Sequence, residues 1–176
     1  MRKSLFPRYR ESFCLEESPR GREFLALTEE LLARDEVKRL GEIVHHYSVS
    51  RLQHAKSVAY ISYLRCLEKG LCAEETAKAA LLHDLFYRHR KEDEKGKGML
   101  FRHPAIALEN AKNLLTLSPV GEDIILRHMW PFGRRPRTRE GWLVCRMDKY
   151  CAIHEFLASR FPATYRKRMQ RKESAL

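Results

Sequence analysis

The chain has 176 residues, 44% hydrophobic and 32% charged, which suits one compact domain with a real core and leaves little room for a second. No stretch approaches the ~20 apolar residues of a membrane span, and the basic start, residues 1–17, lacks the apolar segment of a secretory signal. The five cysteines are odd in number and never spaced as CxxC, which points away from disulfides or a zinc ribbon and toward a cytoplasmic location, while the net charge of +11 favours phosphate-bearing partners.

Helical periodicity runs through almost the whole chain and few residues favour strands. Residues 22–34 and 35–47 read as two helices. A long amphipathic helix is expected from about Ser50, with Val58, Ile61 and Leu64 on its apolar face and Gly70 as its stop. Residues 73–87 read as the next helix, acidic in its first turn and then apolar on nearly all sides, hence buried and central. The charged, glycine-containing stretch 88–99 reads as a surface loop. His103-Pro104 is expected to open a helix running to about Leu117, because proline is favourable at the first helical position. Ser118-Pro119 ends it, a short helix covers 121–130, and the loop 131–139 carries Arg134, Arg135, Arg137 and Arg139. A last long helix spans about Glu140–Arg160. The expected fold is all-α, six or seven helices in one bundle-like domain: a helical lead-in over 1–39, the main body over 40–160 and a basic tail over 161–176.

Polar residues stand where apolar ones are expected. His54 shares a helical face with Val58 and Ile61, Asp148 shares a stripe with Val144, Met147 and Cys151, and His83-Asp84 interrupts the most apolar segment of the chain. Burying an unpaired carboxylate costs several kcal/mol, so these acids need partners, and a divalent metal held by imidazole and carboxylate is the natural one. Read on a helix, neighbours such as His83 and Asp84 point ~100° apart, so both reach a metal lying against it. His103 and His128 suit a second position. Taken singly, each histidine is more often a hydrogen-bonded core residue than a ligand, and the set is stronger than any member. His45, His46, His89 and His154 have weaker claims.

The ordered set of His54 in SRLQHAKSVAYISYL, His83-Asp84 in AKAALLHDLFY and Asp148 in VCRMDKYCA resembles the signature of the HD-domain superfamily of metal-dependent phosphohydrolases, over about residues 40–156. The resemblance implies an HD-type helical bundle and a site of His54, His83, Asp84, His103, His128 and Asp148 holding one or two ions of Mn, Fe, Ni, Co or Zn. It implies hydrolysis of a phosphate ester or anhydride by a metal-activated water, with Asp84, His103 and His128 as the catalytic group. The chain lacks the extension and the Gly-Tyr-Pro element of the cyclic-dinucleotide phosphodiesterases. Nucleoside monophosphates, dinucleoside polyphosphates and alarmones remain open as substrates. Arg102, Arg127, Arg134, Arg135, Arg137 and Lys149 flank the site in sequence as candidates for phosphate binding, with surface solubility about as good an account of each arginine. The loops 88–99 and 133–139 are expected to border its mouth.

Three alternatives stay open: a di-iron oxygenase on the same scaffold, a nucleic-acid-binding or regulatory module with a vestigial site, for which no sequence motif speaks, and a protein with a purely structural metal.

Overall fold

A computed structural model describes residues 6–45, 49–87 and 98–161. The described chain is built from helices: α1 (Phe6–Glu11), α2 (Pro19–Ala33), α3 (Asp35–Lys38), α4 (Arg51–Lys69), α5 (Ala73–Leu81), α6 (Met99–Lys112), α7 (Pro119–Arg127) and α8 (Arg139–Arg160). Helix α4 packs on α5 and α8, α7 fills the angle between α5 and α8, and α6 leans on α7. The all-α expectation holds, and among the described residues no helix is long and apolar enough to cross a membrane.

The apolar stripe of α4 forms the centre. Val58, Ala59 and Ile61 are fully buried against Ala77, Ala80 and Leu81 of α5 and Val144 and Cys151 of α8, in one cluster that also takes in Tyr9, Leu15, Phe24 and Leu40 from the N-terminal segments. Residues 6–40 therefore pack into the same core as the main body. Helix ends follow local chemistry. The Ser50 hydroxyl accepts the Gln53 N–H at the start of α4, and Gly70 closes it in the left-handed region (φ 60°). Ser118 caps α7 with Pro119 at its first position, and Thr138 caps α8.

Four expectations are corrected. Residues 35–47 do not form one helix: α3 gives way to a 3₁₀ turn at Arg39–Glu42, and Val44–His45 pairs antiparallel with Val49–Ser50. The β-branched pair Ile43-Val44 disfavours helix, and the Ile43 carbonyl accepts the Arg51 N–H (2.8 Å). Helix α5 stops at Leu81, so His83 and Asp84 lie in a turn and not on a helix. The Ala80 carbonyl, which would take the Asp84 N–H in a continuing helix, instead accepts Nδ1–H of His83 (2.7 Å) and, more weakly, its backbone N–H (3.4 Å). Helix α6 starts at Met99, leaving His103 inside it beside an internal Pro104, and ends at Lys112. Helix α7 covers Pro119–Arg127, so His128 is the residue just past its end. The loop expected over 88–99 lies, but for its last two residues, outside the described chain, as do His46, His89 and the tail beyond 161.

Candidate metal centre

Helix α4 presents His54 inward, buried to 1% exposure. Helix α8 faces it with Asp148 and, two turns on, Glu155, itself 1% exposed. Nδ1–H of His54 donates to Glu155 Oε1 (2.8 Å) and Nε2 lies 3.2 Å from Asp148 Oδ1. Burial opposes a charge on His54, but the two carboxylates, Glu155 foremost, outweigh it and raise its pKa to about 10. Asp148 is correspondingly held well below the usual carboxylate range: burial pushes it up, and the hydrogen bond from His54 with the positive fields around it pulls it further down.

The other three histidines share one device. Nδ1 of His83 donates to the Ala80 carbonyl (2.7 Å), Nδ1 of His103 to the Met99 carbonyl (3.1 Å) and Nδ1 of His128 to the Ile125 carbonyl (2.8 Å). A carbonyl can only accept, so each ring carries its proton on Nδ1 and, when neutral, turns the lone pair of Nε2 into the site. His128 stays neutral, since burial first and the field of His83 next lower its pKa to about 3. Nε2 of His103 and Nε2 of His128 are 3.0 Å apart, at 3.3 and 3.6 Å from Asp84 Oδ1. Three atoms able to ligate a metal converge there. Nε2 of His83 is fully buried with no hydrogen-bond partner among the described residues.

The chemistry of these imidazole nitrogens and carboxylate oxygens fits a divalent transition ion. Ligand atoms of His54, His83 and Asp84 lie within 4.8 Å of one another, and so do those of Asp84, His103 and His128. Asp84 belongs to both groups. Asp148 joins the first through His54 and lies 3.9 Å from His83 Nε2. All six residues expected as ligands therefore come together.

The flanking cations are placed differently. Arg102, Arg134, Arg135 and Arg137 are exposed. Arg127 is buried, its guanidinium committed to Asp123 (3.0 Å) and to the Arg135 carbonyl (3.1 Å). Lys149 donates to the His128 carbonyl (2.9 Å) and stands 3.8 Å from Asp148 Oδ2, tying the end of α7 to α8. The loop 133–139 begins five residues past His128.

Two residues of the centre escaped the sequence reading. Glu155 is one, although it stands at i+7 from Asp148 on the same helical stripe. Arg51 is the other, at i−3 from His54. It is buried, its guanidinium donates to the Phe86 carbonyl and lies 3.8 Å over the Phe86 ring, and it fixes the turn that carries His83 and Asp84. His154 is buried too, stacked on Tyr9 (5.0 Å).

Compared with known families, residues 51–153, more than half of the chain, match the HD domain. No curated protein and no solved structure matches the chain.

Proposed function

The chain belongs to the HD-domain family, and we propose that it is a metal-dependent phosphohydrolase cleaving a phosphate ester or anhydride, with a nucleotide or related small phosphorylated metabolite as substrate. The observation that carries this reading is the membership of Asp84 in both ligand groups. A carboxylate shared by two imidazole sets is what a two-ion centre needs, and a purely structural site would close around four ligands. His54, His83, Asp84 and Asp148 would hold one ion, and Asp84, His103 and His128 the other.

A bound divalent cation makes water acidic enough to ionise near neutral pH and neutralises charge on phosphate oxygens. The protein's own part is orientation. The carbonyls of Ala80, Met99 and Ile125 keep three imidazoles in the tautomer that ligates through Nε2. Glu155 does the same for His54 by accepting from Nδ1. Arg51 holds the Asp84 turn. Arg102, exposed and next to His103 in the chain, and Lys149, 3.8 Å from Asp148 Oδ2, would bind phosphate oxygens, with Arg134, Arg135 and Arg137 of the loop after His128 as further cations.

The test is elemental analysis of protein purified without chelator, followed by a phosphate-release screen over nucleotides with Mn, Fe, Ni, Co or Zn. One or two bound ions and phosphate release are expected, with both lost in Asp84→Ala. Protein that binds no such ion overturns the assignment. So does metal-loaded protein that releases no phosphate and consumes oxygen instead, which would favour an HD-type oxygenase.

A further inference from the structure

The loop after α7 and the start of α8 form a face that contains none of the six residues of the metal centre. Trp130 and Phe132 are 37% and 60% exposed. Trp142, in the first turn of α8, meets Trp130 edge-on at 6.3 Å between ring centroids. The guanidinium groups of Arg135 and Arg146 lie 5.4 and 5.9 Å from the Trp142 ring. Exposed aromatics are thus interleaved with exposed arginines, Arg134 among them.

The face is built on a fixed support. The buried carboxylate of Asp123 accepts the backbone N–H of Arg137 (3.0 Å), the N–H of Thr138 (2.9 Å) and the Thr138 hydroxyl (2.7 Å). From Met129 to Arg146 the one acidic residue in the sequence is Glu140, which is buried and accepts the Cys72 N–H (3.3 Å). The arginines outside are therefore not neutralised by a neighbouring acid in that stretch.

Flat rings in water favour a ligand with π faces, and a cluster of guanidinium groups favours phosphates. Single-stranded nucleic acid presents both at a regular spacing, whereas a duplex hides its base faces in the stack. We propose that this face binds single-stranded nucleic acid, with bases against Trp130 and Phe132 and phosphates on Arg134, Arg135 and Arg146. The proposal does not rest on the chemistry at the metal centre, although Arg134 and Arg135 serve in both readings.

The chain has two tryptophans and both lie in this face, so intrinsic fluorescence reports it directly. The full chain would be titrated with a twelve-nucleotide oligouridylate, with inorganic polyphosphate and with UMP. The oligonucleotide is expected to quench tryptophan emission, with affinity falling roughly a hundredfold or more for a tenfold rise in salt if about three phosphates are neutralised. Phe132→Ala should weaken oligonucleotide binding about fivefold or more and leave polyphosphate binding unchanged. Arg134→Ala with Arg135→Ala should weaken both. These positions are exposed, and circular dichroism verifies that each variant is folded. Three results would overturn the proposal. One is no quenching by the oligonucleotide at low salt. Another is equal binding of oligonucleotide and polyphosphate with no effect of Phe132→Ala, which marks a plain cationic surface. The third is UMP bound as tightly as the oligonucleotide, which marks a mononucleotide pocket.

Discussion

At the scale of single residues, the histidines of this centre are oriented by what holds their far nitrogen. Three use a backbone carbonyl within four residues of themselves. His54 alone uses a side chain, Glu155, brought from the other end of the fold. Glu155→Gln keeps the shape but removes the charge that sets the orientation and basicity of the His54 ring. Removing such a partner costs about 10–100-fold in metal affinity. That loss is expected here in a competition titration against a chelator, while the unchanged carbonyl partners of His83, His103 and His128 keep the second group able to bind. Unaltered affinity for every ion would show that Glu155 only packs.

At the scale of elements, the site depends on where helices stop. Helix α4 ends on Gly70, whose positive φ suits glycine and whose added Cβ would meet nothing within 4 Å. Gly70→Ala should therefore cost only the backbone strain, about 1 kcal/mol, with no effect on the loops. Gly141, at the start of α8, is the opposite case. A Cβ there would lie 2.4 Å from Asp123 Oδ2 and 2.9 Å from Thr138 Oγ1. Gly141→Ala must displace the carboxylate that anchors the arginine loop, leaving buried polar groups short of partners, a loss of about 1–3 kcal/mol or more. Thermal unfolding of the two variants compares them, and the tryptophan spectrum should change only in Gly141→Ala. Equal destabilisation with identical spectra would contradict this account of the anchor.

At the scale of the whole molecule, the buried centre makes stability depend on protons and on metal. The pKa of His54 is raised to about 10, so its contribution is complete below about 6.5 and is lost as pH rises from there to about 10. His128 is lowered to about 3 by burial and His83, so it stays neutral while the unfolded chain takes up a proton, and stability falls as pH drops from about 6.5 toward 3. Chelator-treated protein should therefore be most stable near pH ~6.5, with slopes of up to ~1.4 kcal/mol per pH unit on either side, as read by urea unfolding. A divalent ion competes with the proton on His54 Nε2, so its addition should raise Tm more at pH 8 than at pH 6. A steady rise in stability of the chelated protein from pH 4 to pH 9 would refute this balance of charges.

The sequence by itself determined the helical class, the bounds of α4 and α8 to within a residue or two, and the six polar residues that meet in the centre. Each of these rests on local information: apolar periodicity, Gly70 as a stop, and histidines and acids too polar for their apolar surroundings. Only the tertiary structure decided the rest. Helix α5 ends before His83 because the histidine's own Nδ1–H takes the carbonyl that the helix would use, a competition no periodicity records. His103 sits inside α6 although Pro104 follows it, since packing overrides the positional preference of proline. Glu155 and Arg51 were on the right faces to be found, yet a lone charged residue on a helix reads as solvated until the facing helix is known. Arg127 illustrates the reverse, its charge spent inside the fold on Asp123. Pairing across helices is a property of distance in space, and that distance is set only when the core closes.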